Sequence, residues 1–239
     1  MSTLVKICGL STQDGLDAAL GYGADMVGFV FFDRSPRHVS LEMAARLGER
    51  VGSRARKVLL TVNADDASLA AAIAALDPQW LQLHGSETPE RIAAIRASFG
   101  LPVMKAIGVG DAADLAQIRF FEATADMLLF DAKPPQGAGR PGGNGAGFDW
   151  SLLSAVEAKK PWLLAGGLDA GNVAAALSQT RAHGVDVSSG VESSVGVKDR
   201  DKIAAFIAQV RATPRCNGAK FGREDQAVDE KLGLARRRV

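Results

Sequence analysis

The sequence predicts an α/β protein built as a single (β/α)8 TIM barrel with a C-terminal flexible extension. Three observations carry this. Short β-rich runs recur eight times along the 239 residues, each followed by a helical pattern. The repeat averages roughly 26 residues, which suits one strand–helix unit of such a barrel. Several runs, such as Leu128-Leu129-Phe130 and Trp162-Leu163-Leu164, are apolar throughout, as strands buried on both faces of a parallel sheet must be.

The expected strands, in order, are Leu4–Cys8, Met26–Phe31, Lys57–Val62, Trp80–Leu83, Val103–Ile107, Met127–Phe130, Trp162–Ala165 and Val185–Val187. Between them, Asp65 or Asp66 can cap a helix with the apolar stripe Leu69, Ile73 and Leu76. Thr88-Pro89-Glu90 supplies a cap, a proline at the first helical position and an acid in the first turn. Ile92, Ile95 and Phe99 follow at helical spacing. Asp169 precedes a stripe of Val173 and Leu177, and Gly184 is placed to end that helix. The last helix carries Ile203, Phe206, Ile207 and Val210. An open doubly wound sheet would usually show G-x-G-x-x-G after its first strand; Cys8-Gly9-Leu10-Ser11 does not fit it. The barrel is expected over residues 1–211. Residues 212–239 read as a polar, basic, flexible tail, with one weak helix around Asp225–Ala235.

Bulk properties exclude several classes of function. The formal charge of +1 gives no global field for nucleic acid or an anionic membrane. No apolar run approaches the roughly 18 residues that span a bilayer. Cys8 and Cys216 lie near opposite ends and show no metal-ligand spacing, so neither a disulfide framework nor a zinc site is expected. A cytoplasmic protein without metal or organic cofactor is the reading. From Ala212 onward seven basic residues face four acidic ones, so the tail is the basic part of a near-neutral chain.

A β/α barrel places its active site at the C-terminal ends of its strands. The polar residues there include Cys8, Asn63, His84, Lys105, Asp131 and Asp186, with Arg37 in the loop after strand two. Gly166-Gly167 ends strand seven and Ser188-Ser189-Gly190 ends strand eight. Loops at those two places often bind phosphate, because glycine admits the anion and backbone N–H groups donate to it. A tight turn is the plainer reading of either pair alone.

Cys8 should face the mouth, with Lys6 two residues earlier on the same strand face. A nearby ammonium lowers a thiol's pKa, so a thiolate serving as base or nucleophile is expected; an inert buried cysteine is the ordinary alternative. Asp131 abuts an apolar strand and is either a useful acid or a turn cap. The Gly- and Pro-rich stretch from 132 to 147 is long for a connector and suits a lid. Arg37 is a solvated loop charge or a fork for a carboxylate. For His84, a structural role and a place in the substrate site both stand open.

These residues also carry a family resemblance. Val5-Lys6-Ile7-Cys8-Gly9-Leu10, Gly23-Ala24-Asp25-Met26-Val27-Gly28-Phe29-Val30-Phe31 with Ser35-Pro36-Arg37, Gln82-Leu83-His84-Gly85, Phe148-Asp149-Trp150, Ala165-Gly166-Gly167-Leu168 and Gly184-Val185-Asp186-Val187-Ser188-Ser189-Gly190-Val191-Glu192 appear in order. The set resembles phosphoribosylanthranilate isomerase, an enzyme of tryptophan synthesis, from about Leu4 to Val210. The resemblance implies an Amadori rearrangement of N-(5-phosphoribosyl)anthranilate, a small sugar-phosphate substrate, to the 1-deoxyribulose phosphate. It makes Asp131 the general acid and Cys8 the general base. Arg37 would hold the anthranilate carboxylate, Asp186 would contact the polar part of the ligand, and Gly167, Ser188, Ser189 and Gly190 would take the phosphate. A monomer or homodimer is expected. The lid reads Gly142-Gly143-Asn144-Gly145 where the family often has Thr third, and Val195-Gly196 stands where many members have Pro-Gly. A histidine-pathway isomerase on the same barrel is the nearest rival, but that family looks to use a carboxylate where Cys8 stands. A non-catalytic phosphate binder would need neither Cys8 nor Asp131.

Overall fold

In a computed structural model of the chain, eight parallel strands close into a barrel, each bonded to the next in sequence and the eighth to the first. The structure describes residues 2–133, 137, 142, 143, 145, 147–154 and 156–214. The strands are β1 (Leu4–Cys8), β2 (Met26–Phe31), β3 (Arg56–Thr61), β4 (Trp80–Leu83), β5 (Val103–Val109), β6 (Met127–Ala132), β7 (Trp162–Leu164) and β8 (Gly184–Val187). They agree with the expected strands to within a residue or two. Helices α1 (Gln13–Gly21), α2 (Leu41–Val51), α3 (Asp66–Leu76), α4 (Pro89–Phe99), α5 (Ile118–Phe121), α6 (Val173–Gln179) and α7 (Arg200–Ala212) lie between or after them.

Alternation along each strand sorts the core into two shells. Leu4, Met26, Val58, Trp80, Met104, Met127, Leu129 and Leu163 fill the barrel interior. Their outward neighbours, among them Ile7, Phe29, Leu59, Leu81 and Phe130, pack against the helices. One strand step nearer the C-terminal mouth, the inward positions of β1, β4 and β8 are polar. Lys6, Gln82 and Asp186 stand there, all buried.

The capping logic holds locally. Asp65 rather than Asp66 caps α3, accepting from the Ser68 N–H at 2.8 Å. Thr88 caps α4 with Pro89 as its first residue. Asp169 accepts from the Gly171 and Asn172 N–H groups just before α6. Gly184 does not end α6. The helix stops at Gln179, and Gly184 opens β8, where a Cβ would lie 2.5 Å from Leu4 Cβ. Its small size serves the packing of β8 on β1.

Two expected helices are replaced. After β5 the chain makes a 3-10 turn over Ala112–Gln117 and then only the short α5. Asp111 accepts from the Ala113 and Asp114 N–H groups while Asp114 accepts from those of Gly110 and Asp111, which fixes a tight turn there. After the lid comes another 3-10 turn, Trp150–Leu153, capped by Asp149. A small antiparallel ribbon of β9 (Glu192–Ser194) and β10 (Val197–Lys198), unforeseen in the sequence, follows β8.

The final helix α7 buries Ile203, Phe206, Ile207 and Val210 as expected. Cys216, Asn144, the tail from 215 onward and the helix expected around Asp225–Ala235 lie outside the described residues. Among those described, no helix is long and apolar enough to cross a membrane.

Candidate active site

Cys8 is the last residue of β1 and its thiol is free and buried. Beside it on β2 stands Gly28, where a Cβ would come within 2.9 Å of Cys8 Sγ and 3.2 Å of Lys6 Nζ. The missing side chain at 28 is what makes room for both groups. Register then decides their charge. β1 pairs with β8 so that Lys6 sits opposite Asp186, and Lys6 Nζ donates to Asp186 Oδ1 at 2.7 Å. Burial opposes the Lys6 charge, but Asp186 and Cys8 outweigh it and its pKa is raised.

The expectation that Lys6 lowers the Cys8 pKa needs correcting. Burial pushes the thiol up, Lys6 pulls the other way, and Asp186 adds to the rise; the net direction is upward. The ammonium is already committed to a carboxylate, so the balance favours the neutral thiol.

Asp131 on β6 and His84 just beyond β4 meet across the mouth, with His84 Nε2 3.3 Å from Asp131 Oδ2. Asp131 Oδ1 also accepts from the Ala132 N–H at 2.8 Å. The Gln82 amide lies 3.0 Å from His84 Nδ1. Gly142 lies directly against this pair. A Cβ at Gly142 would lie 2.6 Å from His84 Nε2 and 2.7 Å from Asp131 Oδ2, so only glycine fits over the acid.

Arg37 is buried, not a solvated loop charge. Its fork is spent within the protein, Nε and Nη2 donating to the two Glu192 oxygens at 2.6 and 2.8 Å. Nη1 is left toward the cleft, 3.3 Å from the Gly143 carbonyl. Lys198 Nζ donates to Glu192 Oε1 at 2.8 Å and to the Ser188 carbonyl at 2.9 Å. Although burial works against it, the bonds from Arg37 and Lys198 hold the Glu192 pKa down at about 2.

The two glycine loops lie side by side. Gly166 and Gly167 both have positive φ, 86° and 63°, and among the described residues no backbone hydrogen bond engages the Gly167 N–H. Gly190 packs under loop seven so closely that a Cβ would sit 1.9 Å from the Leu168 carbonyl oxygen. Gly167, Ser188, Ser189, Asp131 and Asp186 line one cleft. A second, more apolar cleft is walled by Val30, Phe32, Leu60, Cys8, Arg37 and His84. Ser188, Gly142 and Gly143 border both clefts, which therefore adjoin.

Every candidate but Gly190, which packs beneath loop seven, thus lines one mouth, but two of the polar strand-end residues do not. Lys105 points away from the barrel interior, donating to Glu87 at 2.8 Å and to the Gly85 carbonyl at 2.6 Å. Burial pushes its pKa down, against the pull of Glu87. Asn63 ties loop three to loop four, accepting from the Ser86 N–H at 2.8 Å. Conversely, the sequence reading gave no role to Gln82, Glu192 or Lys198. Gln82 was open to detection, because it lies two residues before His84 and so on its strand face. Glu192 and Lys198 depend on a ribbon that no local pattern announced. Among the described residues no cluster of His, Cys, Asp or Glu could hold a metal ion.

Comparison with known proteins identifies the family. The family model for N-(5'phosphoribosyl)anthranilate (PRA) isomerase matches residues 5–209. The N-(5'-phosphoribosyl)anthranilate isomerase of Beijerinckia indica is 70% identical over 211 residues, covering 88% of this chain and 95% of that protein. The crystal structure of phosphoribosyl anthranilate isomerase from Thermotoga maritima superposes with a TM-score of 0.77 at 33% identity, over 87% of this chain and 98% of that one. A structure of the isomerase in complex with reduced 1-(o-carboxyphenylamino)-1-deoxyribulose 5-phosphate gives a TM-score of 0.76 at 31% identity, with the same coverage. With the fold, the paired clefts and these matches over most of its length, the chain belongs to the N-(5'-phosphoribosyl)anthranilate isomerase family.

Proposed function

We propose that Cys8 and Asp131 divide between them the proton transfers of this chain's reaction, the isomerisation of N-(5'-phosphoribosyl)anthranilate in tryptophan biosynthesis. One observation carries the reading: a thiol and a carboxyl from β1 and β6 open into two adjoining clefts, one apolar and one lined by the glycine loops. The anthranilate ring suits the apolar walls of Val30, Phe32 and Leu60. Its carboxylate would replace the Gly143 carbonyl at Arg37 Nη1, end-on, since Glu192 occupies the rest of the fork. The phosphate would take the Gly167 N–H and the Ser188–Gly190 turn, and Asp186 would meet the sugar hydroxyls.

The electron flow follows. Asp131 gives a proton to the furanose oxygen as the C1–O bond breaks, and the anilino nitrogen lone pair forms the C1=N bond. Cys8, as thiolate, takes the C2 proton. The C2–H electrons form C1=C2, and the C1=N pair returns to nitrogen. The resulting enolamine tautomerises, C1 gaining a proton as the C2 hydroxyl becomes the ketone. No metal or organic cofactor enters this scheme. A free buried thiol as base fits a reducing cytoplasm, and a working unit of one chain or a homodimer is inferred; a dimeric state is described for the Thermotoga maritima isomerase.

The test is to mix purified protein with freshly made phosphoribosylanthranilate and follow the loss of its fluorescence. Cys8→Ser and Asp131→Asn should each lower kcat by roughly 100-fold or more while leaving the affinity for a product analogue nearly unchanged. Near wild-type kcat in either variant removes that residue from the mechanism.

A further inference from the structure

Arg37, Glu192 and Lys198 form a buried cluster whose charges do not cancel. Their side chains are at most 4% exposed. Both oxygens of Glu192 are fully engaged. Oε1 accepts from Arg37 Nε at 2.6 Å and from Lys198 Nζ at 2.8 Å, and Oε2 from Arg37 Nη2 at 2.8 Å and the Gly196 N–H at 3.1 Å. With its pKa at about 2, this carboxyl is ionised at neutral pH. One anion therefore serves two cations. Among the described residues no second carboxylate pairs with either of them. Lys6 is cancelled by Asp186, and Lys202, which donates to the Glu192 carbonyl at 2.7 Å, is exposed to solvent.

The surplus positive charge is unfavourable until an anion joins it, because a buried charge without a partner is costly. The cost is visible at Lys198. Burial pushes its pKa down, Glu192 and Cys8 pull it back, and Arg37 adds to the fall. Lys198 has no hydrogen left for a ligand. Its three N–H groups go to Glu192, to the Ser188 carbonyl at 2.9 Å and to Ser188 Oγ at 3.2 Å. It can act on a ligand only through its charge. Arg37 provides the opening, since its Nη1 meets a neutral acceptor, the Gly143 carbonyl, at 3.3 Å. Without Lys198 a ligand would meet there a neutral Arg37–Glu192 pair, and an uncharged oxygen would serve nearly as well as a carboxylate.

We propose that Lys198 is a positioning residue for ligand charge: by offsetting Glu192 it leaves Arg37 a net cation, so that the cleft selects an ionised ring substituent over a neutral one of the same shape. The inference rests on the reading that the substrate carboxylate meets Arg37 Nη1. Glu192 and Lys198 then have separate tasks. Glu192 aims the guanidinium, and Lys198 restores the charge that Glu192 takes away.

The test compares two ligands by titration calorimetry at neutral pH. One is reduced 1-(o-carboxyphenylamino)-1-deoxyribulose 5-phosphate; the other is its carboxamide counterpart, alike in shape but uncharged on the ring. Wild type should favour the acid by about thirtyfold or more, and Lys198→Met by about threefold or less. A merely structural role would weaken both ligands alike, and a preference that survives in Lys198→Met overturns the inference. Where circular dichroism shows that variant unfolded, Lys198→Gln is measured in the same way, with the same two outcomes. A wild type without any preference is a different failure. It would take the carboxylate away from Arg37, and this inference with it.

Discussion

Cys8, the base proposed above, is a thiol whose protonated form the folded protein favours. Its pKa lies above the usual thiol value because burial and Asp186 together outweigh Lys6, so the thiolate fraction, and with it kcat, should rise as pH climbs from 7 toward 9. A profile of kcat that is flat or falling over that range would show that the thiol is not the group losing the proton. Glu192 behaves oppositely. Its carboxyl is held at about 2 against a reference of 4.5, a shift of roughly 3 kcal/mol. A depressed folded-state pKa gives stability that is present above the reference value and lost as pH falls through the folded one. Acid titration of stability should therefore steepen between pH 4.5 and 2. Glu192→Gln should flatten that limb and raise KM more than it lowers kcat, because Arg37 loses the carboxylate that aims its Nη1. Unchanged KM would mean that Arg37 needs no such support.

At the scale of elements, the sheet was legible because a parallel barrel buries both strand faces and writes each strand as an apolar run. Caps were legible for a similar reason: Thr88-Pro89-Glu90 and Asp65 act within a few residues of themselves. The segment after β5 was not, since its 3-10 turn is set by two aspartates bonding each other's backbone, and a helix cap uses the same residue types. The β9–β10 ribbon was missed because it is too short for periodicity, yet it brings Glu192 and Lys198 to the site. Most of the candidate residues that line the clefts were readable from strand-end position alone. Their protonation states were not, since Lys6 meets Asp186 only through barrel register. Loop packing supplies an element-scale prediction. Gly190→Ala would drive a methyl to 1.9 Å from the Leu168 carbonyl oxygen and force loops seven and eight apart. Inorganic phosphate should then bind more weakly, by tenfold or so, while the barrel stays folded by circular dichroism; unaltered phosphate affinity would move the anion site elsewhere.

At the scale of the whole molecule, the described chain is a closed ring whose last described helix returns to its first strand. α7 packs against α1 and β1, and Arg211 donates to the Thr3 carbonyl and to Asp25 Oδ2. Every described strand and its cover lie within residues 4–212, so truncation after Ala212 should keep kcat/KM within a small factor at both low and high salt. If the run Arg236-Arg237-Arg238 attracts the anionic substrate, truncation will instead lower kcat/KM at low salt only, exposed charges being screened over about 10 Å at 0.1 M. A loss at all salt concentrations would make the tail part of the barrel.

The Lys6–Asp186 pair joins residues 180 positions apart, which gives the site a place in time as well as in space. Synthesis runs from the N-terminus at about 5–20 residues per second. Lys6 leaves the ribosome before Asp186, and its counter-charge follows roughly ten seconds or more later on that scale. Throughout that interval no barrel can seal around Lys6 without stranding an ammonium in an apolar interior, which is strongly unfavourable. β1 must therefore wait unburied until β8 arrives. The charge beneath Cys8 thus doubles as a check on completeness, because a chain cut short before Asp186 has no stable way to close.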